Sequence, residues 1–296
     1  MKTSLSRKKI LAVVALSFIT TGAVAGPILI DGTDAEEHGS FNGTVNINGW
    51  EYFQRGFENL LPQVGNANNV AVCLGCTANT QSAFASAFDQ ATKPAGWTRE
   101  TLDGATAITD FFAGTLTRTL ANTGLIYIPT GGNTAGGIIA AELGVINANA
   151  AALNTFVAGG GGLFAHGEGN TGAASWGWLT TLLPGIIATE SGGGANLSLT
   201  AAGIAAFPGL SNADVNAGTP WHNHFSGNFG GLQVLVQDTS GRAVVIGGGA
   251  GTVIACGQPG QPPCTTNVPE PESLSLLGLG LLGLLGMSRR RKKKTA

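Results

Sequence analysis

Apolar residues recur along the chain in two alternating rhythms. Short apolar runs, "PILIDG" (27–32), "NNVAVCLG" (68–75), "GLIYIPTGG" (124–132) and "GGLFAHGEG" (161–169), predict strands, and the third, almost wholly apolar, reads as one buried on both faces. Between them lie stretches of helical spacing. Trp50, Phe53, Phe57, Leu60 and Leu61 mark one across 50–61, and Ile108, Phe111, Phe112, Leu116 and Leu120 mark another across 103–120. The Asn start and Gly stop of "NANAAALNTFVAGGG" (147–161) predict a third helix. "SWGWLTTLLPG" (175–185) and "LTAAGIAAFPGL" (199–210) predict two short ones. Late in the chain "GLQVLVQD" and "RAVVIGGG", joined through "TSG", read as an antiparallel hairpin, and "GTVIAC" (251–256) offers a further strand. Strand alternating with helix is the signature of a parallel sheet covered on both faces. The expectation is a single α/β domain of flavodoxin-like type over 26–255, mostly parallel, with helices on both faces and the hairpin at its end.

The two ends follow a different logic. Residues 1–25 join a basic start (Lys2, Arg7, Lys8, Lys9), an apolar run and "AVA" before Gly26, the layout of a secretory signal. Signal peptidase and the secretion machinery are therefore expected partners. A Cys/Pro/Gly-rich linker (256–267) leads to a three-part tail. The tail consists of the proline-acidic stretch Val268, Pro269, Glu270, Pro271 and Glu272, an apolar run over 273–287 suited to a helix, and a basic cluster over 289–294. The apolar run is marginal for a spanning helix, which needs about 20 residues. The basic cluster would keep its flank in the cytoplasm. These parts, in this order, resemble the PEP-CTERM sorting signal of Gram-negative bacteria. The resemblance implies an exosortase-type membrane protease as partner, cleavage near Pro269–Pro271, a transient anchor, and release to the envelope or exopolysaccharide matrix.

Setting the ends aside changes the charge. Residues 26–267 keep five cations (Arg55, Lys93, Arg99, Arg118, Arg242) against fifteen of the seventeen acids, a formal charge of −10 that the whole-chain value of −2 conceals. Phosphate backbones would be repelled, which argues against nucleic acid. Neutral glycans or cations suit such a surface better. All four cysteines lie in the exported part, where disulfides persist. Cys73–Cys76 and Cys256–Cys264 are the local pairings. "VAVCLGC" before a helical stretch has the strand–CxxC–helix order of redox sites, but a structural role is the main expectation.

The candidate chemistry gathers at strand ends. In an open α/β sheet, ligands bind beyond the carboxyl ends of the strands. Asp31 ends the first strand, and Asp34, Glu36, Glu37 and His38 lie in the loop just after it; Thr130–Asn133 follow the third; His166 and Glu168 close the fourth. "TPWHNHF" puts His222 and His224 in a loop before the hairpin. All four histidines are thus expected on one rim. His166, Glu168 and His38 are candidate catalytic groups, because imidazole beside a carboxylate can do acid–base work near neutral pH. His222 and His224 are candidate ligands for Zn²⁺ or another divalent ion. Asp31, Trp176 and Trp221 are candidate ligand-binding residues, the indoles by stacking on a sugar ring.

The helix-to-strand stretch "LNTFVAGGGGLFAHGEG", with "ILIDG", "GLIYIPTGG", Trp176/Trp178 and "WHNHF" in compatible order, resembles the ThuA-like group of the class I glutamine amidotransferase-like superfamily. True amidotransferases carry a Cys nucleophile after this strand; here His166 stands in or beside that position. The resemblance thus implies a divergent domain without glutamine hydrolysis, tied to carbohydrate binding or processing. A non-catalytic structural or adhesive protein of the extracellular matrix is the competing reading.

Overall fold

Strand β1 (Ile28–Asp31) is the hub of the sheet: it runs parallel to β7 (Gly162–His166) on one side and antiparallel to β12 (Ala243–Gly247) on the other. The computed structural model describes residues 25–131, 136–167, 175–194, 196–218 and 220–247. The parallel half also contains β4 (Val70–Leu74), β5 (Thr98–Leu102) and β6 (Leu125–Ile128), in the spatial order β5-β4-β6-β7-β1. The antiparallel half forks at β12. One branch holds β11 (Gln233–Gln237) and the two-residue β9 (Ser198–Leu199); the other holds β10 (Trp221–Gly227) and β8 (Ile186–Gly194). A separate ribbon joins β2 (Gly39–Phe41) to β3 (Asn46–Asn48).

Residue alternation sorts the core into two layers. Leu29, Ala71, Cys73, Tyr127 and Phe164 face α1 (Gly49–Leu60) and α2 (Ala78–Gln90). Their neighbours Ile28, Ile30, Val72, Ile126 and Leu163 face α3 (Ala105–Ala113), α4 (Ala140–Ala148), α5 (Ala150–Ala158) and α6 (Leu179–Leu182). This is the period of two expected of strands buried on both sides. The short α7 (Ala201–Ala206) packs on the α1 side. The result is the expected mixed α/β architecture of flavodoxin-like type, including the β11–β12 hairpin.

Several local expectations need correction. The stripe over 103–120 gives a helix only to Ala113, because Gly114 adopts a left-handed φ of 76° that ends the helix. Helix α4 and strands β5, β8 and β10 carry no clear sequence period. The "TPWHNHF" stretch is not a loop: Trp221–Gly227 forms β10, paired along β8. Glu168, residues 132–133, the "GTVIAC" stretch, Cys256–Cys264, the signal and the tail lie outside the described residues.

Candidate functional site

The carboxyl ends of β7 and β1 flank a topological opening: β7 leads on to α6 in one layer and β1 to α1 in the other, and such a divergence is where open α/β sheets place their ligand crevice. Register places Asp31 directly beside His166. Both project under α1, as does Tyr127 of β6. A short 3₁₀ turn, Ala35–Glu37, folds over the opening and inserts Glu36.

The centre is an imidazole held between two carboxyl groups. His166 Nε2 lies 3.0 Å from Asp31 Oδ2, and Nδ1 lies 2.7 Å from Glu36 Oε2, with all three side chains fully buried. The angles make these ion-pair contacts rather than aligned hydrogen bonds, since neither His166 Nε2 nor Glu36 Oε2 has a well-directed partner. Two hydroxyls complete the shell. Tyr52 donates to Asp31 Oδ2 at 2.6 Å, while Tyr127 lies 3.1 Å from Glu36 Oε1 and 2.9 Å from His166 Nδ1. Backbone amides of Thr33 and Thr130 donate to Asp31 and Glu36 at 2.8 and 2.7 Å. Phe53 and Phe164 close the ring's flanks.

Electrostatics decide the protonation state. Burial pulls the His166 pKa down, but Glu36 and Asp31 outweigh it and hold the ring at about 10. His166 is therefore an imidazolium at neutral pH. Burial pushes the Glu36 carboxyl up, and the imidazolium more than reverses it, so Glu36 stays below its ordinary value. Burial and the neighbouring carboxylates drive both tyrosines well above theirs, so they remain donors.

A second, half-exposed cluster adjoins it. Asp34 Oδ2 takes both His38 Nε2 at 3.1 Å and His222 Nε2 at 3.0 Å. Burial opposes ionisation of Asp34, but the two imidazoles lower its pKa; the hydrogen bond to Asp34 raises that of His38. Three of the four histidines thus meet the Asp31–His38 segment. His224 does not join it: its Nδ1 lies 2.9 Å from Ser191 Oγ. The cause is a β-bulge, in which the amides of His222 and Asn223 both donate to Gly32 O and re-aim His222 away from its neighbour. Among the described residues no three His, Cys, Asp or Glu side chains are arranged to hold a metal ion.

The tryptophans are both buried. Trp221 donates to Asn223 O at 2.7 Å and lies under the Arg242 guanidinium, 4.7 Å from the ring centre. Trp176 donates to Asn223 Oδ1 at 3.3 Å, and Asn223 Nδ2 in turn donates to Gly167 O at 2.8 Å, one residue past His166. Trp176 and Asn223 line a cleft of about 400 Å³ together with Gly177, Thr180 and the β8 residues Ile186, Ile187, Ala188 and Glu190. Elsewhere, Cys73 and Cys76 form a disulfide at the end of β4, both buried.

Sequence reasoning missed Tyr52 and Tyr127, and it put Asp34 and Glu36 in the loop after the first strand without giving them a role. A signal was available. The chain has thirteen phenylalanines and only two tyrosines, and both tyrosines reach this one centre. A buried hydroxyl needs a polar partner.

Fold and centre together define an α/β protein of flavodoxin-like type with a closed imidazolium–carboxylate core at its switch point. Residues 267–292 match the PEP-CTERM protein-sorting motif. That match marks the chain for export, membrane anchoring through its C-terminus and sorting to the cell envelope, with exosortase as the processing protease. Among the described residues no helix is long and apolar enough to cross a membrane. No curated protein and no solved structure matches the chain.

Proposed function

We propose that residues 26–255 form a divergent, ThuA-like domain of an envelope or exopolysaccharide-matrix protein that binds carbohydrate without processing it. The observation behind this reading is the closure of the His166 centre. An imidazole with no exposed side-chain surface, protonated and flanked by two carboxylates, cannot take a proton from a substrate at neutral pH. The open surface lies next to it, in the Trp176–Glu190 cleft. That volume falls within the usual range of small-ligand sites, about 300–1,000 Å³, and combines an indole edge with hydroxyl, amide and carboxylate groups.

The test is titration of the detergent-solubilised full-length chain with neutral oligosaccharides, read by tryptophan fluorescence. Saturable quenching that Trp176→Phe weakens supports the reading. No response to any neutral glycan would leave the structural matrix role. The sorting step has its own test. Co-expression with an exosortase should shorten the chain by its tail, and alanines at Pro269 and Pro271 should block that processing.

A further inference from the structure

The sheet has three free edges among the described residues, and they are treated differently. Strand β5 carries Arg99 and Glu100, engaged with Asp89 and Arg118 respectively. Strand β9 is only two residues long. Charge and brevity are the usual devices that stop one sheet edge from pairing with another. Strand β8 is less protected. It spans nine residues, "IIATESGGG", with one charge and no proline, and it leaves Ile187 57% exposed.

We propose that β8 pairs antiparallel with β8 of a second copy of this chain, joining two sheets across a two-fold axis. The strand is complementary to itself in that arrangement. With the axis at Thr189, Ile187 faces Ser191 and Glu190 faces Ala188, so no like charges are opposed. A register centred on Glu190 would put two carboxylates opposite each other. The backbone groups of the outer edge supply the hydrogen bonds, and the exposed Ile187 side chains supply apolar contact on either side of the axis.

The test uses the full-length chain in mild detergent. Sedimentation velocity across a dilution series should show a concentration-dependent dimer, and Ile187→Lys with Thr189→Lys should abolish it. Thr189→Cys reports the register directly. Residues on the axis face each other at Cα separations of about 4.5–5.5 Å, within disulfide reach, so oxidation should give a covalent dimer. Wild type and Thr98→Cys on the β5 edge should not cross-link. Two results would overturn the proposal. One is a chain monomeric at every concentration whose Thr189→Cys variant does not cross-link, as when a segment of the same chain covers β8. The other is a dimer that the paired lysines leave intact.

Discussion

Asp31 and His166 sit side by side at the carboxyl ends of adjacent parallel strands, 3.0 Å apart from Oδ2 to Nε2, with no solvent reaching either side chain. A buried imidazolium is tolerable there because the carboxyl groups of Asp31 and Glu36 lie against its two ring nitrogens.

Removal of the ring should therefore be severe. His166→Ala leaves Asp31 and Glu36 buried against each other and should cost about 3–5 kcal/mol, read from urea unfolding. A loss below roughly 1 kcal/mol would mean that the centre is hydrated and contributes little.

The same pair sets the pH response. His166 rises from an ordinary 6.5 to about 10, so its stabilisation is complete below 6.5 and fades as pH climbs toward 10. Glu36 and Asp34 are depressed, so their contribution holds above their ordinary carboxylate range and is lost as pH falls through the lowered values. The urea midpoint should be highest between these limits. In His166→Gln the decline between pH 7 and 10 should flatten; an unchanged alkaline slope would refute the assignment.

Tyr52→Phe removes one hydroxyl and leaves the ring. The bond to Asp31, at 2.6 Å, is made to a charged acceptor, and its loss should cost about 1.5–3 kcal/mol. Far-ultraviolet circular dichroism at low temperature should remain unchanged, separating a lost bond from a lost fold.

Gly56→Ala should destabilise, although alanine is favoured over glycine in a helix by about 1 kcal/mol. A Cβ at this α1 position would lie 2.5 Å from Phe164 Cε1, inside the packed layer beneath the helix. Overpacking of that kind costs about 1–3 kcal/mol and decides the sign. A rise in the thermal midpoint would show that Phe164 has room to move.

Replacing Cys73 and Cys76 by alanine opens a loop whose ends are three residues apart. Chain entropy for so short a loop amounts to about 2 kcal/mol. Both sulfurs are buried, so the bond should resist mild reductant in the native state and yield only on unfolding. Rapid reduction of the folded protein would instead point to redox chemistry.

Much of the scaffold was legible because its signals are local. The four runs predicted as strands became β1, β4, β6 and β7, and the stripe from Trp50 became α1. Strand β5 escaped because its sequence, "TRETL", is polar at an edge, and β10 because its histidines and asparagine mimic a loop. Of the candidate site, His166, Asp31 and His38 were marked as strand-end or loop residues, and the structure brings them to one corner of the sheet. The association of His222 with Asp34 rather than His224 depended on a bulge that no residue pattern announces.

By itself the sequence determined the address and the architecture. A sorting tail is read in linear order, and strand and helix periods follow from spacing alone. Only the tertiary structure decided what the imidazole at the tip of β7 does. Its charge state depends on two carboxyl groups from strand β1 and the turn over the crevice, and on hydroxyls from α1 and β6. Chain spacing sets none of those distances, and at a separation of 3.0 Å in a dry interior they outweigh every local preference of the residue itself.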